Sequence, residues 1–160
     1  MDLDVYRVEI PEGCNVIIGH THFIKTAEDL YEIMVSAVPQ VKFGIAFCEA
    51  SGPCLVRVEG NDEALKSCAA RDAQGIGAGH SFTILMRDAY PINVLNAIKS
   101  CQEVCTIFCA TANPVEVVIF KSAQGRGILG VVDGSAPKGI EDPAARTARK
   151  EMLRKFGYKL

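Results

Sequence analysis

Two glycine-rich segments of this sequence combine residue types that could hold and transfer a phosphate group. One runs from Gly75 to Gly79 and leads directly into His80, and the other, Gln124 to Gly130, places Arg126 between two glycines. Because glycine has no side chain, such loops let backbone N–H groups approach an anion closely, and arginine can bind phosphate with its planar guanidinium group. The two segments therefore predict a phosphate or nucleotide site, with two ordinary tight turns as the alternative.

The second segment also matches a nucleotide-binding pattern, since residues 125–132 read G-x-G-x-x-G-x-V. A dinucleotide-binding fold needs these glycines between a strand and a helix, but here they join two apolar segments of strand type. A protein-kinase glycine-rich loop does lie in a hairpin, yet the sequence has no V-A-I-K, H-R-D or D-F-G element and no G-x-x-x-x-G-K-[ST] loop. The remaining interpretation is a hairpin whose backbone, together with Arg126, covers one phosphate.

The three histidines are the candidate nucleophiles. A neutral imidazole at His80 could attack phosphorus through the lone pair of a free ring nitrogen, or the ring could simply anchor the loop by hydrogen bonds. His20 and His22 would lie on one face of an extended segment, which suits two metal ligands. No third ligand is evident near them in the sequence, so no metal site is predicted.

Other polar side chains stand where apolar strands end. Asn113, in the segment T-A-N-P, offers the donor and acceptor that an adenine edge requires, although Asn-Pro is equally typical of a turn. Glu49, Glu116 and Asp133 are the carboxylates at strand ends, and their spacing forms no recognisable catalytic pair. Asn113 and Asp133 are retained as candidate ligand-binding residues.

The composition is that of one soluble globular domain, residues 1–160. A net charge of −2 without a basic block argues against nucleic acid as a partner. Apolar runs stay short of the ~18 residues of a membrane span, and the acidic start lacks the features of a signal peptide, so a cytoplasmic protein without a membrane partner is expected. Seven cysteines without a C-x-x-C pair argue against disulfides and zinc, and no cofactor is expected.

Hydrophobic periodicity predicts an α/β fold, a single-domain mixed sheet of about seven strands with antiparallel hairpins, flanked by about four helices. The continuous apolar run 41–49 predicts a strand buried on both faces. Short connections among the last three apolar segments favour hairpins. Thr26, Asn61 and Asp142 are predicted to cap the N-termini of three helices, with Pro143 as the first residue after the last cap, and Pro91 is predicted to lie in the first turn of a fourth.

Five longer strings of residues resemble the adenosine-specific kinase family. They read VKFGIAFCEASGP (41–53), GAGH (77–80), AYPINVLNAI (89–98), IFCATANPVE (107–116) and GRGILGVVDG (125–134). The resemblance implies an α/β fold and a family found mainly in archaea and some bacteria. It also implies binding of adenosine and AMP in preference to ADP and ATP, a phosphorylated histidine, and a homo-oligomer, of which a trimer is one form.

The resemblance favours a phosphotransferase in which a phosphohistidine passes its phosphate to adenosine. A non-catalytic adenosine or AMP sensor and a phosphohistidine-based phosphatase remain the alternatives. His80 is the first candidate for the phosphorylated residue, His22 the second and His20 the last. The candidate ligand-binding residues are Gly77, Gly79, Asn113, Arg126, Gly127 and Asp133.

Overall fold

The computed structural model describes residues 2–160, which form eight strands and four helices. The strands are β1 (Asp2–Arg7), β2 (Asn15–Thr21), β3 (Lys42–Cys48), β4 (Val56–Gly60), β5 (Ser81–Arg87), β6 (Val104–Thr111), β7 (Val115–Lys121) and β8 (Arg126–Asp133). The helices are α1 (Thr26–Ala37), α2 (Glu63–Ile76), α3 (Pro91–Lys99) and α4 (Pro143–Lys155). Among the described residues, no helix has the length and hydropathy that crossing a membrane would require.

The strands form two antiparallel sheets. Five strands follow the order β4-β3-β5-β2-β6, and three follow the order β1-β7-β8. The predicted α/β fold class with antiparallel hairpins and four helices is confirmed. The predicted single mixed sheet of about seven strands is wrong, since the eight described strands form two sheets and all their pairings are antiparallel. The period-2 pattern of a strand reports its buried face and not its neighbours or their direction.

The five-stranded sheet lies between two apolar layers, which explains the continuous apolar sequence of β3. Phe43, Ile45 and Phe47 face a core shared with α1 and α3. Ala46 and Cys48 face the opposite core, which contains α2 and the inner face of the three-stranded sheet. The predicted strand with two buried faces is therefore confirmed.

Close packing of α2 on β3 depends on a glycine. A Cβ atom at Gly44 would collide with the backbone of α2 at Leu65 and Lys66, so a residue with a side chain would force the helix away from the sheet. The apolar face predicted for this helix is confirmed, since Leu65, Cys68, Ala69 and Ala73 are all buried.

Two predicted helix caps are wrong by one residue. The N-cap of α2 is Asp62, whose carboxylate accepts a hydrogen bond from Leu65 N at 3.0 Å. Asn61 instead accepts from Phe43 N at 2.9 Å and donates to Val41 O at 2.8 Å, which ties the helix start to β3. The N-cap of α1 is Lys25, while the buried Thr26 donates its hydroxyl to Phe23 O at 2.6 Å.

The three-stranded sheet presents one buried and one exposed face. Val115, Val117 and Ile119 of β7 are buried in the core, whereas Leu3 and Val5 of β1 point outward and are exposed. After β8 the chain reaches α4, where the predicted cap is confirmed: Asp142 accepts from Ala145 N at 2.7 Å, and Pro143 is the first helical residue. None of the residues of α4 is buried.

Candidate functional site

The two glycine-rich segments meet at one cavity of about 800 Å³. Its wall combines the C-terminal end of α2, the connection between β3 and β4, and the turn between β7 and β8. Four of the candidate ligand-binding residues line it: Gly77, Gly79, Arg126 and Gly127. A volume of this size is within the usual range for small-molecule sites.

Arg126 joins the two glycine-rich segments. Gly77 ends α2 in the left-handed conformation, with φ of 63°, which glycine adopts without strain. Arg126 Nη1 donates to Gly75 O at 3.0 Å, and Ala78 forms a parallel bridge with Arg126. A Cβ atom on Gly77 would lie 3.2 Å from Arg126 Cδ, so the absence of a side chain at position 77 lets the guanidinium lie across the helix end.

The charges around the cavity leave Arg126 as a cation that an anion can approach. Arg126 is exposed, and its one hydrogen bond from the guanidinium to another described residue is that of Nη1 to Gly75 O. Glu49, also in the wall, is held at 2.7 Å by Arg57 and accepts from Leu55 N at 2.8 Å. These hydrogen bonds, that of Arg57 first, hold the pKa of the Glu49 carboxyl below its usual range, so this carboxylate stays negative and already paired.

His80 has an uncommon backbone conformation beside the cavity. Its φ is 63°, a left-handed value that costs energy for a residue with a side chain and is concentrated at functional sites. His80 N donates to Cys48 O at 2.8 Å, and His80 O accepts from Thr21 N at 2.9 Å. Its ring stacks on Phe47 at 5.9 Å between centroids. His80 does not line the cavity, although the preceding residue, Gly79, does.

His20, the last-placed histidine in the sequence analysis, is the one that lies next to His80. The two ring centroids are 6.3 Å apart, because His20 pairs with Ser81 in the register of β2 and β5. Burial lowers the pKa of His20, and the neighbouring His80 lowers it further, so His20 is a neutral imidazole at neutral pH. The signal that would have identified it is the strand pairing, which the sequence does not display.

The other candidate residues lie elsewhere. His22 is exposed beyond the end of β2, with its ring stacked on Phe23 at 6.5 Å. Asn113 Nδ2 donates to Asp133 Oδ1 at 3.2 Å, at the far end of the β7–β8 pair from Arg126. At ~3.4 Å per residue the strand separates these two residues from Arg126 by roughly 20 Å. Within one chain, Asn113 and Asp133 therefore do not share the cavity.

Apart from the cavity, a cluster of possible metal ligands lies between α1 and the segment that leads into β6. Ligand atoms of Asp29, Cys101 and Glu103 lie within 4.8 Å of one another. Lys25 Nζ lies 2.5 Å from Asp29 Oδ2 and 3.5 Å from Glu103 Oε1, so an ammonium group supplies the positive charge there. Hydrogen bonding within an ion-paired cluster accounts for this arrangement.

Comparisons with known proteins agree with the fold. A model of the adenosine-specific kinase family matches residues 6–159, and the chain belongs to this family. It is similar to the crystal structure of PH1918 protein from Pyrococcus horikoshii OT3, with 46% identity over 99% of this chain and 98% of that one, and a TM-score of 0.96. No curated protein matches the sequence. Family membership supports an adenosine-related kinase function.

Proposed function

We propose that this protein is a phosphotransferase that carries a phosphoryl group on His80 and passes it to adenosine bound in the cavity. The observation that carries the proposal is the meeting of the two glycine-rich segments at a cavity of about 800 Å³, which has room for a nucleoside and a phosphate group. Membership in the adenosine-specific kinase family supports adenosine as the nucleoside that binds there. In this proposal one phosphate is bound by the guanidinium of Arg126 and the backbone of Gly77 and Gly79, which line the cavity.

The transfer step breaks one bond to phosphorus and forms another. The N–P bond of phosphorylated His80 breaks, its electron pair returns to the imidazole, and a ribose hydroxyl of adenosine forms an O–P bond to give AMP. The hydroxyl proton needs an acceptor, and His20 is a neutral imidazole whose ring centroid lies 6.3 Å from that of His80. His20 is therefore the proposed general base. His80 receives its phosphoryl group beforehand from a phosphorylated donor.

A non-catalytic adenosine or AMP sensor is the second candidate function. It is favoured by one observation: His80 follows a cavity residue but does not itself line the cavity. A protein that only binds AMP would need the cavity and Arg126 and would make no use of the two adjacent histidines. The strained backbone of His80, with φ of 63°, favours the phosphotransferase.

The proposal includes an assembly and a location. A single domain of residues 1–160 is proposed to act as a cytoplasmic homo-oligomer, of which a trimer is one form, without a nucleic-acid or membrane partner. The exposed apolar residues of the three-stranded sheet support an assembly, since monomeric proteins seldom expose large contiguous apolar patches.

A binding experiment on Arg126 tests the placement of the phosphate. We expect Arg126→Ala to weaken AMP binding by about 10- to 150-fold, because a charge-assisted hydrogen bond contributes ~1.5–3 kcal/mol. Adenosine binding should stay nearly unchanged, because adenosine has no phosphate. Calorimetric titration of both ligands into both proteins measures the difference.

The exposed Arg7, which pairs with Glu116 away from the cavity, provides the matched control. Arg7→Ala should leave both affinities unchanged. Equal losses of adenosine and AMP in Arg126→Ala would mean that the hydrogen bond from Arg126 to Gly75 O only shapes the cavity, and the proposed phosphate position would be wrong.

A further inference from the structure

The C-terminal arm, residues 134–160, is unlike the rest of the chain because almost none of it packs against the body, residues 2–133. None of the residues of α4 is buried. Ile140 is 99% exposed and Phe156 is 61% exposed, and Met152, Tyr158 and Leu160 are also exposed. Exposing this much apolar surface of the arm to water is unfavourable in free energy.

The sequence of the arm is nevertheless that of a well-formed helix. Asp142 caps it, Pro143 begins it, and Arg154 and Lys155 lie in its last turn, where positive charge is favourable. Isolated helices of ~12–15 residues are marginal in water, and α4 has 13 residues. Most helical stability in proteins comes from packing an apolar face, so this helix needs a surface that its own body does not provide.

The outer face of the three-stranded sheet is a surface of the required kind. Leu3 lies opposite Phe120 and Val5 opposite Val118 in the β1–β7 pairing. Leu129 of β8 is 63% exposed. The strands have six to eight residues, or roughly 20–26 Å at ~3.3 Å per residue. A helix of 13 residues is about 20 Å long and matches that length.

The arm and the body also carry net charges of opposite sign. Residues 134–160 contain seven lysines and arginines against three acidic residues, for a net charge of +4. Residues 1–133 contain ten against sixteen, for a net charge of −6. Opposite net charges favour the encounter of an arm with the body of another copy and disfavour arm-to-arm or body-to-body contact.

The base of the arm is fixed so that the arm leaves the body. Gly134 has φ of 66°, a conformation that favours glycine, and its N–H donates to Pro114 O at 2.9 Å. The hydrogen bond from Asn113 to Asp133 holds the preceding residue. The chain therefore turns away at the end of β8, and α4 is available to a neighbouring molecule.

We propose that α4 of each chain packs across the outer face of the three-stranded sheet of a second copy, so that the copies exchange their C-terminal arms. Each chain then offers one helix and accepts one, a contact that can close into a symmetric assembly. The inference deepens the proposed homo-oligomer and rests on it, but it does not depend on the proposed phosphotransfer.

Two surface variants test the exchange by light scattering coupled to size exclusion. Phe156→Asp alters the arm and leaves the sheet intact, whereas Leu129→Asp alters the sheet and leaves the arm intact. We expect the wild type to form an oligomer and each variant to give the monomer mass of 17.2 kDa. Ile92→Asp, at an exposed position on α3, is the matched control and should remain oligomeric.

Mixing the two variants separates arm exchange from other assemblies. The intact arm of one variant can bind the intact sheet of the other, so the mixture should form a species of twice the monomer mass. A mixture that stays monomeric would show that the intact arm of one copy does not bind the intact sheet of another, and would overturn the proposal. A monomeric wild type would overturn it as well. So would either variant that stays oligomeric, since an oligomeric Leu129→Asp would indicate arm-to-arm packing and an oligomeric Phe156→Asp would indicate sheet-to-sheet packing. Met152→Asp and Val132→Asp replace either variant that fails to fold.

Discussion

Replacing His80 by asparagine is expected to abolish incorporation of a phosphoryl label into the protein and all transfer to adenosine. Asparagine lacks the nucleophilic ring nitrogen, so no covalent intermediate can form. It also adopts positive φ more readily than most residues, so it suits the φ of 63° at this position. The variant should therefore fold and bind adenosine. The measurement is retention of acid-labile radioactive phosphate after incubation with a phosphoryl donor such as acetyl phosphate or ATP.

Parallel changes at the other histidines identify the role of each. His22→Asn, at an exposed position outside the cavity, is the matched control and should keep both label and transfer. His20→Asn should keep the label but slow its transfer to adenosine, because the proposed base is lost. Label that persists in His80→Asn and disappears in His22→Asn would move the phosphohistidine to the end of β2.

Replacing Asp72 by asparagine is expected to stabilise the protein by about 3 kcal/mol at high pH, and the two proteins should be about equally stable near pH 4. Asp72 is fully buried in α2. Its Oδ1 accepts from Tyr6 Oη at 3.0 Å and Glu9 N at 2.9 Å, whereas its Oδ2 is buried without a partner among the described residues.

The direction in which stability changes with pH follows from whether the folded or the unfolded state binds the proton of Asp72 more tightly. Burial raises the pKa of Asp72 from 3.8 to about 6, and the nearby Glu9 carboxylate adds to it, while hydrogen bonds from Glu9 N and Tyr6 and the charge of Arg71 act in the opposite direction. Because the folded pKa is the higher one, the folded state binds more protons between these values, and stability is lost as pH rises from about 4 through about 6. An asparagine carries no charge at any of these pH values, so the loss attributable to Asp72 should disappear.

Denaturant unfolding of the wild type and Asp72→Asn at pH 5 and pH 8 measures this difference. Tyr6→Phe is the matched comparison: it removes one hydrogen bond to Asp72 but keeps the carboxyl, so it should lower stability and retain the fall with pH. A difference between the wild type and Asp72→Asn that does not change with pH would contradict a protonated Asp72 in the folded protein.

The parts of the fold that depend on local pattern were predictable. The apolar run of β3, the buried face of α2 and the Asp142–Pro143 helix start all follow from spacing along the chain. The cap of α1 was misplaced by one residue because Thr26 donates its hydroxyl to Phe23 O and is itself helical, so Lys25 precedes the helix without a side-chain cap hydrogen bond. The cap of α2 was misplaced because Asn61 and Asp62 are equally suitable by residue type, and tertiary contacts decide between them. Asn61 is engaged with β3, which leaves Asp62 to cap α2.

The site was predictable only in pieces. The sequence displays both glycine-rich segments, but not that they meet. Their meeting depends on the hydrogen bond between Arg126 and Gly75, which lie far apart in the sequence. The nearness of His20 to His80 depends on the register of β2 and β5. Asn113 and Asp133 were grouped with Arg126 by residue type, whereas the length of the β7–β8 pair separates them.

We propose that the cavity holds a nucleoside carrying at most one phosphate. Among the described residues, its wall contains Arg126 but no lysine, and the paired Glu49 carboxylate is also part of it. Further phosphates would lack cations and would meet this negative charge. Calorimetric titration of adenosine, AMP and ATP into the purified protein is the most direct measurement. We predict that adenosine and AMP bind more tightly than ATP, and tightest binding of ATP would contradict the account.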